Sequence, residues 1–280
     1  MTISSSNRVG AKQLVDPERI ARIGAFYVAE YRIRNMLKWW SAIVAFGIGN
    51  PVLYLTSVGL GIGSLVDANM GVNGVNGVSY LLFLAPALLA SAAIQSGMDE
   101  VTFPVLSGFI WEKTFFAMNA TAITGRQIAN GVQIAAFART TFATVIYWVV
   151  LVAFGVAPLS SIFTLVPAAI FAGVAFASLM LAVAAYVKDD DGYFALIGRF
   201  VIAPMFLFSG TFYPLDLLPT GLQVVGWISP LWHATEIGRQ LTYGIGLSNQ
   251  TMLIHFGYLS LLFLIGAALG GKKIAARLAE

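Results

Sequence analysis

Long apolar stretches separated by short polar segments dominate the chain, and their lengths predict membrane-spanning helices. A helix rises about 1.5 Å per residue, so roughly 20 apolar residues cross a hydrocarbon core about 30 Å thick. Six stretches approach this length: Ser41–Gly61, Val78–Ser96, Gln133–Phe154, Ile162–Val187, Tyr193–Phe212 and Thr251–Gly270. The pattern therefore predicts an all-α polytopic membrane protein with six transmembrane helices, forming one unit over residues 38–271.

The N-terminal region shows two other patterns. Residues 1–16 are polar and rich in serine, without the apolar stretch of a secretory signal, and predict a flexible cytoplasmic tail. Asp16-Pro17-Glu18 is a helix-start signal, and the apolar residues after it fall on one face, with arginines on the others. This predicts an amphipathic helix over residues 17–37 that lies in the membrane interface, the alternative being a helix packed on a soluble partner.

Two regions between the predicted spans do not fit a simple loop. Residues 97–133 are only half apolar and carry several charges, which predicts a cytoplasmic segment with a short amphipathic helix around Phe109–Met118. After the fifth span, prolines break the chain into two short helices, Leu215–Val225 and Leu231–Tyr243. The first of these helices would be only about 16 Å long, too short to cross the hydrocarbon core. The pattern therefore predicts two re-entrant half-helices.

Composition and the distribution of charge support a membrane protein and fix its orientation. Apolar residues make up 58% of the 280 residues, charged residues only 10%, and the mean hydropathy is +0.81. With both termini inside, Arg239 is the one basic residue of 16 assigned to the outer side. The positive-inside rule then places both termini in the cytoplasm, residues 272–280 as a cytoplasmic tail, and the half-helices outside.

Several kinds of chemistry are excluded or made improbable by the residue types. The chain has no cysteine and two histidines, so thiolate chemistry is excluded and no metal site is predicted. The Gly266–Lys272 stretch approaches a phosphate-loop pattern but ends an apolar helix, so it is interpreted as a small-residue helix face. The span interiors hold few ionisable groups, which indicates that the driving force comes from outside the chain.

His233 and Glu236 lie one helical turn apart and allow two interpretations. In the first, His233 is a general base held by Glu236, which would make the chain an intramembrane lipid-modifying enzyme. In the second, they belong to a polar helix face on which Glu236 pairs with Arg239. No nucleophile or metal set accompanies the pair, which favours the second interpretation.

The order of these elements, with the motifs FSGTFYPLDLLP and PLWHATEIGRQLTYG, resembles the type-2 ABC exporter permeases. The resemblance covers Pro17 to Gly270 and is closest to the nodulation-factor (lipo-oligosaccharide) and daunorubicin-type drug exporters. It implies a transmembrane subunit that hydrolyses no ATP itself, in the bacterial cytoplasmic membrane. It also implies a second, identical permease chain and two copies of a separate ABC ATPase that binds ATP and magnesium. The cargo would be a glycolipid, lipid-linked saccharide or drug, and no nucleic acid is involved.

The resemblance also implies roles for particular residues. The segment between spans 2 and 3 would hold a coupling helix that contacts the ATPase through Trp111, Glu112, Lys113, Thr114 and Arg126. The translocation pathway would be lined by Asn50, Tyr54, Thr56, Phe206, Ser209, Thr211, Phe212 and Tyr213. The outer half-helices would close it through Leu218, Leu222, Trp227, Trp232, His233 and Glu236.

Overall fold

The structure is a computed structural model that describes residues 17–70, 74–189 and 191–280. The tail predicted at residues 1–16 lies outside the described residues. Within the described residues the chain is almost entirely helical, and its extended pairing is limited to one isolated bridge between Val75 and Val78. The prediction of an all-helical protein is confirmed.

Thirteen α-helices follow one another in the described parts of the chain. They are α1 (Pro17–Leu37), α2 (Trp40–Tyr54), α3 (Gly63–Met70), α4 (Tyr80–Val101), α5 (Phe103–Phe109), α6 (Thr114–Asn119), α7 (Gly125–Ala153), α8 (Leu165–Tyr186), α9 (Tyr193–Ile197), α10 (Ala203–Phe208), α11 (Thr220–Ile228), α12 (Pro230–Tyr243) and α13 (Asn249–Arg277). Two π-helical segments, Leu55–Ile62 and Gly198–Ile202, join α2 to α3 and α9 to α10. Two 3-10 turns lie at Leu159–Phe163 and Leu215–Leu217.

Five helical runs of the described chain are long and apolar enough to cross a membrane. They are Trp40–Met70, Tyr80–Phe109, Gly125–Ala153, Leu159–Tyr186 and Asn249–Arg277. The remaining predicted span corresponds to Tyr193–Phe208, which has 16 residues. A helix of that length reaches about 24 Å, less than a hydrocarbon core of about 30 Å. A polytopic protein is therefore confirmed, whereas the count of six spans stays a prediction.

The core is formed by α4, α7 and α8, and α13 packs along α8 through a face of small residues. A Cβ atom at Gly266 would lie 2.3 Å from the carbonyl carbon of Ser178, so only glycine permits this contact. Small residues let membrane helices approach closely. Gly266 and Gly270 both lie within α13, as the small-residue interpretation of this stretch predicted.

The helix predicted at residues 17–37 has those bounds, and one side of it packs on α7. Gln127 Nε2 donates hydrogen bonds to the carbonyls of Ile20 and Ala21, at 2.8 and 3.1 Å. Gly24 makes room for this side chain, since a Cβ there would lie 2.8 Å from it. We call the end of the bundle formed by α1, α5, α6 and the last turn of α13 the terminal end. The end formed by α11 and α12 is the distal end.

Three predicted elements differ from the structure. The helix expected around Phe109–Met118 is interrupted, because Lys113 adopts a left-handed conformation (φ 55°) between α5 and α6. The half-helix expected at Leu215–Val225 is a 3-10 turn followed by α11, because the residue before Pro219 is disfavoured in a helix. The expected tail at residues 272–280 is mostly helical, and Arg277 and Leu278 are buried. The second half-helix matches α12 within one residue.

Candidate functional site

Three of the predicted pathway residues line one cavity, which we call the inner cavity. Asn50, Tyr54 and Phe206 surround a cavity of about 320 Å³ between α2, α4, α7 and the α9–α10 segment. Its wall is mostly apolar, with uncharged polar groups from Asn50, Gln95 and Tyr147 among them. An apolar cavity with a few hydrogen-bonding groups suits an amphipathic molecule.

A second cavity adjoins the first and reaches the terminal end. It has a volume of about 580 Å³, and Trp39, Phe46, Asp99 and Arg139 contribute to its wall. The two cavities have Asn50, Ala92, Gln95 and Tyr147 in common, so they are contiguous. Together they form a space with aromatic residues in both parts and with charged groups, Asp99 and Arg139, only in the part nearer the terminal end.

Irregular helix geometry shapes the inner cavity. Tyr54 immediately precedes the π-helical segment Leu55–Ile62, and Gly198 and Ile202 of the other π-helical segment also line the cavity. Pro51 lies inside α2 and denies that helix one of its backbone hydrogen bonds. π-Helical turns are uncommon and occur frequently at functional sites.

Aromatic rings meet beside the inner cavity. The ring of Phe206 contacts Tyr54 edge-on at a centroid distance of 5.9 Å, and Phe212 at 5.2 Å. The hydroxyl of Tyr80 donates to the carbonyl of Phe212 at 2.9 Å, which fixes the chain after α10. The structure thus brings together three of the predicted pathway aromatics.

The other four predicted pathway residues lie outside these cavities. Ser209 donates to Ser229 Oγ at 2.6 Å, and the hydroxyl of Tyr213 donates to the carbonyl of Leu207 at 2.9 Å. Thr211 is buried, and its hydroxyl has no hydrogen-bond partner among the described residues. Thr56 is exposed and bonds to the backbone of its own helix. Their observed contacts are with the fold rather than with a cavity.

A third cavity, of about 670 Å³, opens at the distal end. Trp227, Trp232 and Glu236, all predicted for the outer gate, contribute to its wall with Asp216 and Arg239. The remaining three residues of that prediction, Leu218, Leu222 and His233, do not line it. This cavity is more polar than the inner two.

Arg239 is the best-buried charge at the distal end, with 1% of its surface exposed. Its Nη1 pairs with Glu236 Oε1 at 3.1 Å, as the polar-face interpretation predicted, and its Nη2 donates to the carbonyl of Gly210 at 2.6 Å. Its guanidinium also lies 3.7 Å from the centre of the Phe83 ring. Burial raises the pKa of the Glu236 carboxyl, and the charge of Arg239 opposes that shift.

His233 is paired with a second histidine, His255, which lies 22 positions further along the chain. Its Nδ1 lies 2.8 Å from Nδ1 of His255 in α13, and its Nε2 lies 3.0 Å from the carbonyl of Trp227. A carbonyl only accepts, so His233 carries its proton on Nε2 and accepts from His255 through Nδ1. Both ring nitrogens are thus occupied, and neither contacts Glu236. His255 is also a buried ionisable group inside a predicted span, contrary to the expectation for span interiors.

The predicted ATPase-contacting residues lie on an exposed turn at the terminal end. Trp111, Glu112 and Lys113 are exposed between α5 and α6, Thr114 begins α6, and Arg126 is exposed in the first turn of α7. The turn is held from beneath by the ring of Phe109, which contacts the rings of Phe115 and Phe116 at 5.1 and 6.0 Å.

A buried ionic cluster at the terminal end was missed at the sequence level. Arg32 of α1 contacts Glu100 of α4 through Nη2 and Oε1 at 2.7 Å, and both side chains are more than nine-tenths buried. Arg139 of α7 lies 3.4 Å from Glu100 Oε2 and from Asp99 Oδ2. The cluster ties α1 to the segment that leads into α5.

Comparison with known proteins gives the chain its family. Residues 25–243 match the ABC-2 type transporter family model. The chain is 30% identical to nodulation protein J of Rhizobium leguminosarum bv. viciae over 258 residues, 90% of this chain and 96% of that protein. It is 30% identical to nodulation protein J of Rhizobium meliloti (strain 1021) over 82% of this chain and 84% of the relative. It is 28% identical to nodulation protein J of Azorhizobium caulinodans, over 88% of this chain and 94% of the relative.

These matches confirm the resemblance inferred from the sequence motifs. They cover the joined cavities, the exposed turn and most of the distal end. They also indicate a transport subunit rather than an enzyme, which agrees with the occupied nitrogens of His233. The chain belongs to the ABC-2 type transporter family, as a multi-pass type-2 ABC permease of the nodulation-factor exporter group.

Proposed function

We propose that this chain moves an amphipathic cargo outward across a bacterial cytoplasmic membrane, driven by ATP hydrolysis in a separate chain. The observation that carries the proposal is the pair of contiguous cavities, whose largely apolar wall has aromatic residues in both parts and charged groups, Asp99 and Arg139, only in the part nearer the terminal end. A polar headgroup and an apolar tail would find different parts of this wall complementary. Glycolipids, lipid-linked saccharides and hydrophobic drugs share this chemistry.

In this proposal the terminal end faces the cytoplasm and both chain termini are cytoplasmic. The exposed turn Trp111–Lys113 contacts the ATPase, and its adjacent opposite charges favour a partner surface with both signs. ATP and magnesium bind only to the ATPase. The residues of this chain that approach a phosphate-loop pattern lie inside α13, where no strand-to-helix loop is available to hold phosphates.

The assembly proposed has two identical permease chains and two ATPase chains. The long exposed faces of the first and last spans support contact with lipid and with a second copy, since both are mostly unburied in the single chain. At the distal end, α11 and α12 cap the route. The buried Arg239 and the His233–His255 pair hold this cap to α4 and α13.

Charge reversal at the exposed turn tests the proposal. The wild-type chain, Glu112→Lys and Lys113→Glu would each be purified from native membrane, and the bound ATPase quantified. Like-charge contacts across an interface cost several kcal/mol, so we expect the co-purified ATPase to fall by about tenfold or more in each variant. Lys272→Glu is a control that also changes one charge, because Lys272 is exposed on α13 and is not part of the turn.

Two results would count against the proposal in different ways. Normal ATPase recovery with both turn variants would place the contact elsewhere on the chain. Failure of the wild-type chain to recover any ATPase would refute the function itself. Mass spectrometry of the same preparation would identify any lipid or glycolipid held in the joined cavities.

A further inference from the structure

The last turn of α13 is packed against the terminal end rather than exposed to solvent. The helix has 29 residues, so it is about 43 Å long and extends beyond a hydrocarbon core of about 30 Å. Ile274, Arg277 and Leu278 are buried and recur on one face of this extension. The packed face continues past the last apolar stretch of the span, so it has a role outside the membrane.

Arg277 joins the ends of two other elements on this face. Its guanidinium lies 4.1 Å from the centre of the Phe109 ring at the end of α5. Its Nη1 donates to the carbonyls of Val187 and Ala185, at 2.6 and 3.4 Å, where α8 ends. The last carbonyls of a helix lack partners within it and favour a positive charge. Arg277 therefore caps α8 while its planar face covers Phe109.

Phe109 transmits this contact to the exposed turn. Its ring packs against Phe115 and Phe116 on the other side of the turn. Gly108 allows this packing, since a Cβ there would lie 2.7 Å from the Phe115 ring. α5 and α6 have only seven and six residues, too few to be stable helices on their own. Their arrangement must be imposed by such contacts.

The last turn of α13 also contacts the part of the chain that follows the exposed turn, from the end of α6 to the start of α7. Asn119 Nδ2, at the end of α6, donates to the carbonyl of Leu278 at 3.3 Å. Gly125, where α7 begins, lies against Ala275 of α13. A Cβ atom on Gly125 would be 2.6 Å from the Cα of Ala275. α13 thus touches the segment before and after the exposed turn.

We propose that Arg277 is a positioning residue that fixes the turn Trp111–Lys113 relative to α8 and α13. Its effect on transport rests on the proposed function, in which that turn receives the motion of the ATPase. A turn held in one position passes the displacement caused by the ATPase to α8 and α13. A loosely held turn moves without displacing these two helices. The C-terminal end of the chain is then part of the coupling apparatus.

Spin labels test the positioning directly, and the cysteine-free sequence makes them straightforward. One label is placed at Ala117→Cys, exposed on α6 beside the turn, and one at Ala268→Cys, exposed on α13. The distance distribution is measured on the purified permease alone, with Arg277, Arg277→Ala or Arg277→Lys. We expect a broader distribution for the alanine variant and partial recovery for lysine, which keeps the charge but lacks the planar face. Lys272→Ala is the exposed control and should leave the distribution unchanged.

A second variant, Phe109→Leu, and a second measurement, made in the ATPase complex, keep the proposal testable if Arg277→Ala does not fold. Phe109→Leu retains apolar bulk but removes the ring beneath the guanidinium, and should broaden the distribution even where Arg277→Ala fails to fold. In the ATPase complex, Arg277→Ala should lower the ATP-driven displacement that reaches α13 by on the order of tenfold, within the range for residues that modulate coupling. Unchanged distributions for Arg277→Ala or Phe109→Leu would overturn the positioning role. Normal ATP-driven movement despite a broadened turn would overturn its link to transport. Absence of any bound ATPase would refute the proposed function instead.

Discussion

Removing Arg32 should destabilise the protein far more than removing an equivalent surface arginine on the same helix. Arg32 makes four hydrogen bonds, two with Glu100 Oε1 at 2.7 and 3.0 Å and two with the carbonyls of Glu100 and Pro104 at 2.8 and 3.1 Å. Arg32→Met would leave the Glu100 carboxylate buried, with Arg139 at 3.4 Å as its remaining ionic partner.

The magnitude follows from the burial of the pair. Breaking a buried ion pair from one side costs about 3–5 kcal/mol when the remaining charge is left uncompensated. Arg139 compensates Glu100 in part, so we expect a cost near the lower end of that range. An exposed pair contributes about 0–1 kcal/mol. Arg34 and Glu30 of α1 form such a pair at 2.6 Å, with 76% and 53% of their side chains exposed. Arg34→Met is therefore the matched control, and Arg32→Met/Glu100→Leu should recover part of the loss.

The assay is the free energy of unfolding in mixed micelles, from an SDS titration followed by tryptophan fluorescence. The chain has six tryptophans, and two of them, Trp39 and Trp40, follow α1 directly. The reasoning would be refuted if Arg32→Met cost no more than Arg34→Met. It would also be refuted if the double variant were less stable than Arg32→Met alone, since that would mean the charges are not coupled.

Two further predictions concern helix packing and the distal cap. Gly266→Ala should destabilise the fold by about 1–3 kcal/mol, because its Cβ has no room against α8; Gly271→Ala, which meets open space, should be neutral or slightly stabilising in thermal unfolding. Burial lowers the pKa of His233 below its usual 6.5, while its bond to the Trp227 carbonyl opposes that shift. The unfolded chain therefore takes up the proton first, so this contribution to stability is present above pH 6.5 and lost as the pH falls below it. The fall in melting temperature between pH 7.5 and pH 5.5 should be smaller in His233→Gln, and an equal fall in both proteins would contradict this assignment.

Local signals predicted the elements whose bounds are set by nearby residues. Pro17 and Pro230 mark the starts of α1 and α12, and both helices have the predicted extent within a few residues. The Glu236–Arg239 pair was also predictable, because residues three apart on a helix are neighbours. The turn at Lys113 gave no such signal, because the left-handed position is not occupied by glycine.

Long-range contacts could not be predicted in the same way. Arg32 and Glu100 are 68 positions apart, and nothing in the pattern of α1 distinguishes Arg32 from its exposed neighbours. His255 did carry a signal, because an ionisable residue inside an apolar span is costly and suggests a buried partner. For the cavities, sequence identified the aromatic residues Tyr54 and Phe206 but not the shared wall that joins the two spaces.

The shortness of the Tyr193–Phe208 helix has a consequence for the surrounding lipid. Its 16 residues fall about 6 Å short of a typical hydrocarbon core. In the six-span arrangement that the sequence predicts, the irregular segment after Phe208 completes the crossing, and its backbone accepts hydrogen bonds from Tyr80 and Arg239. Such hydrophobic mismatch is relieved where the bilayer thins locally. In that arrangement, acyl-chain length would change how well the bilayer matches this helix, which lies beside the inner cavity.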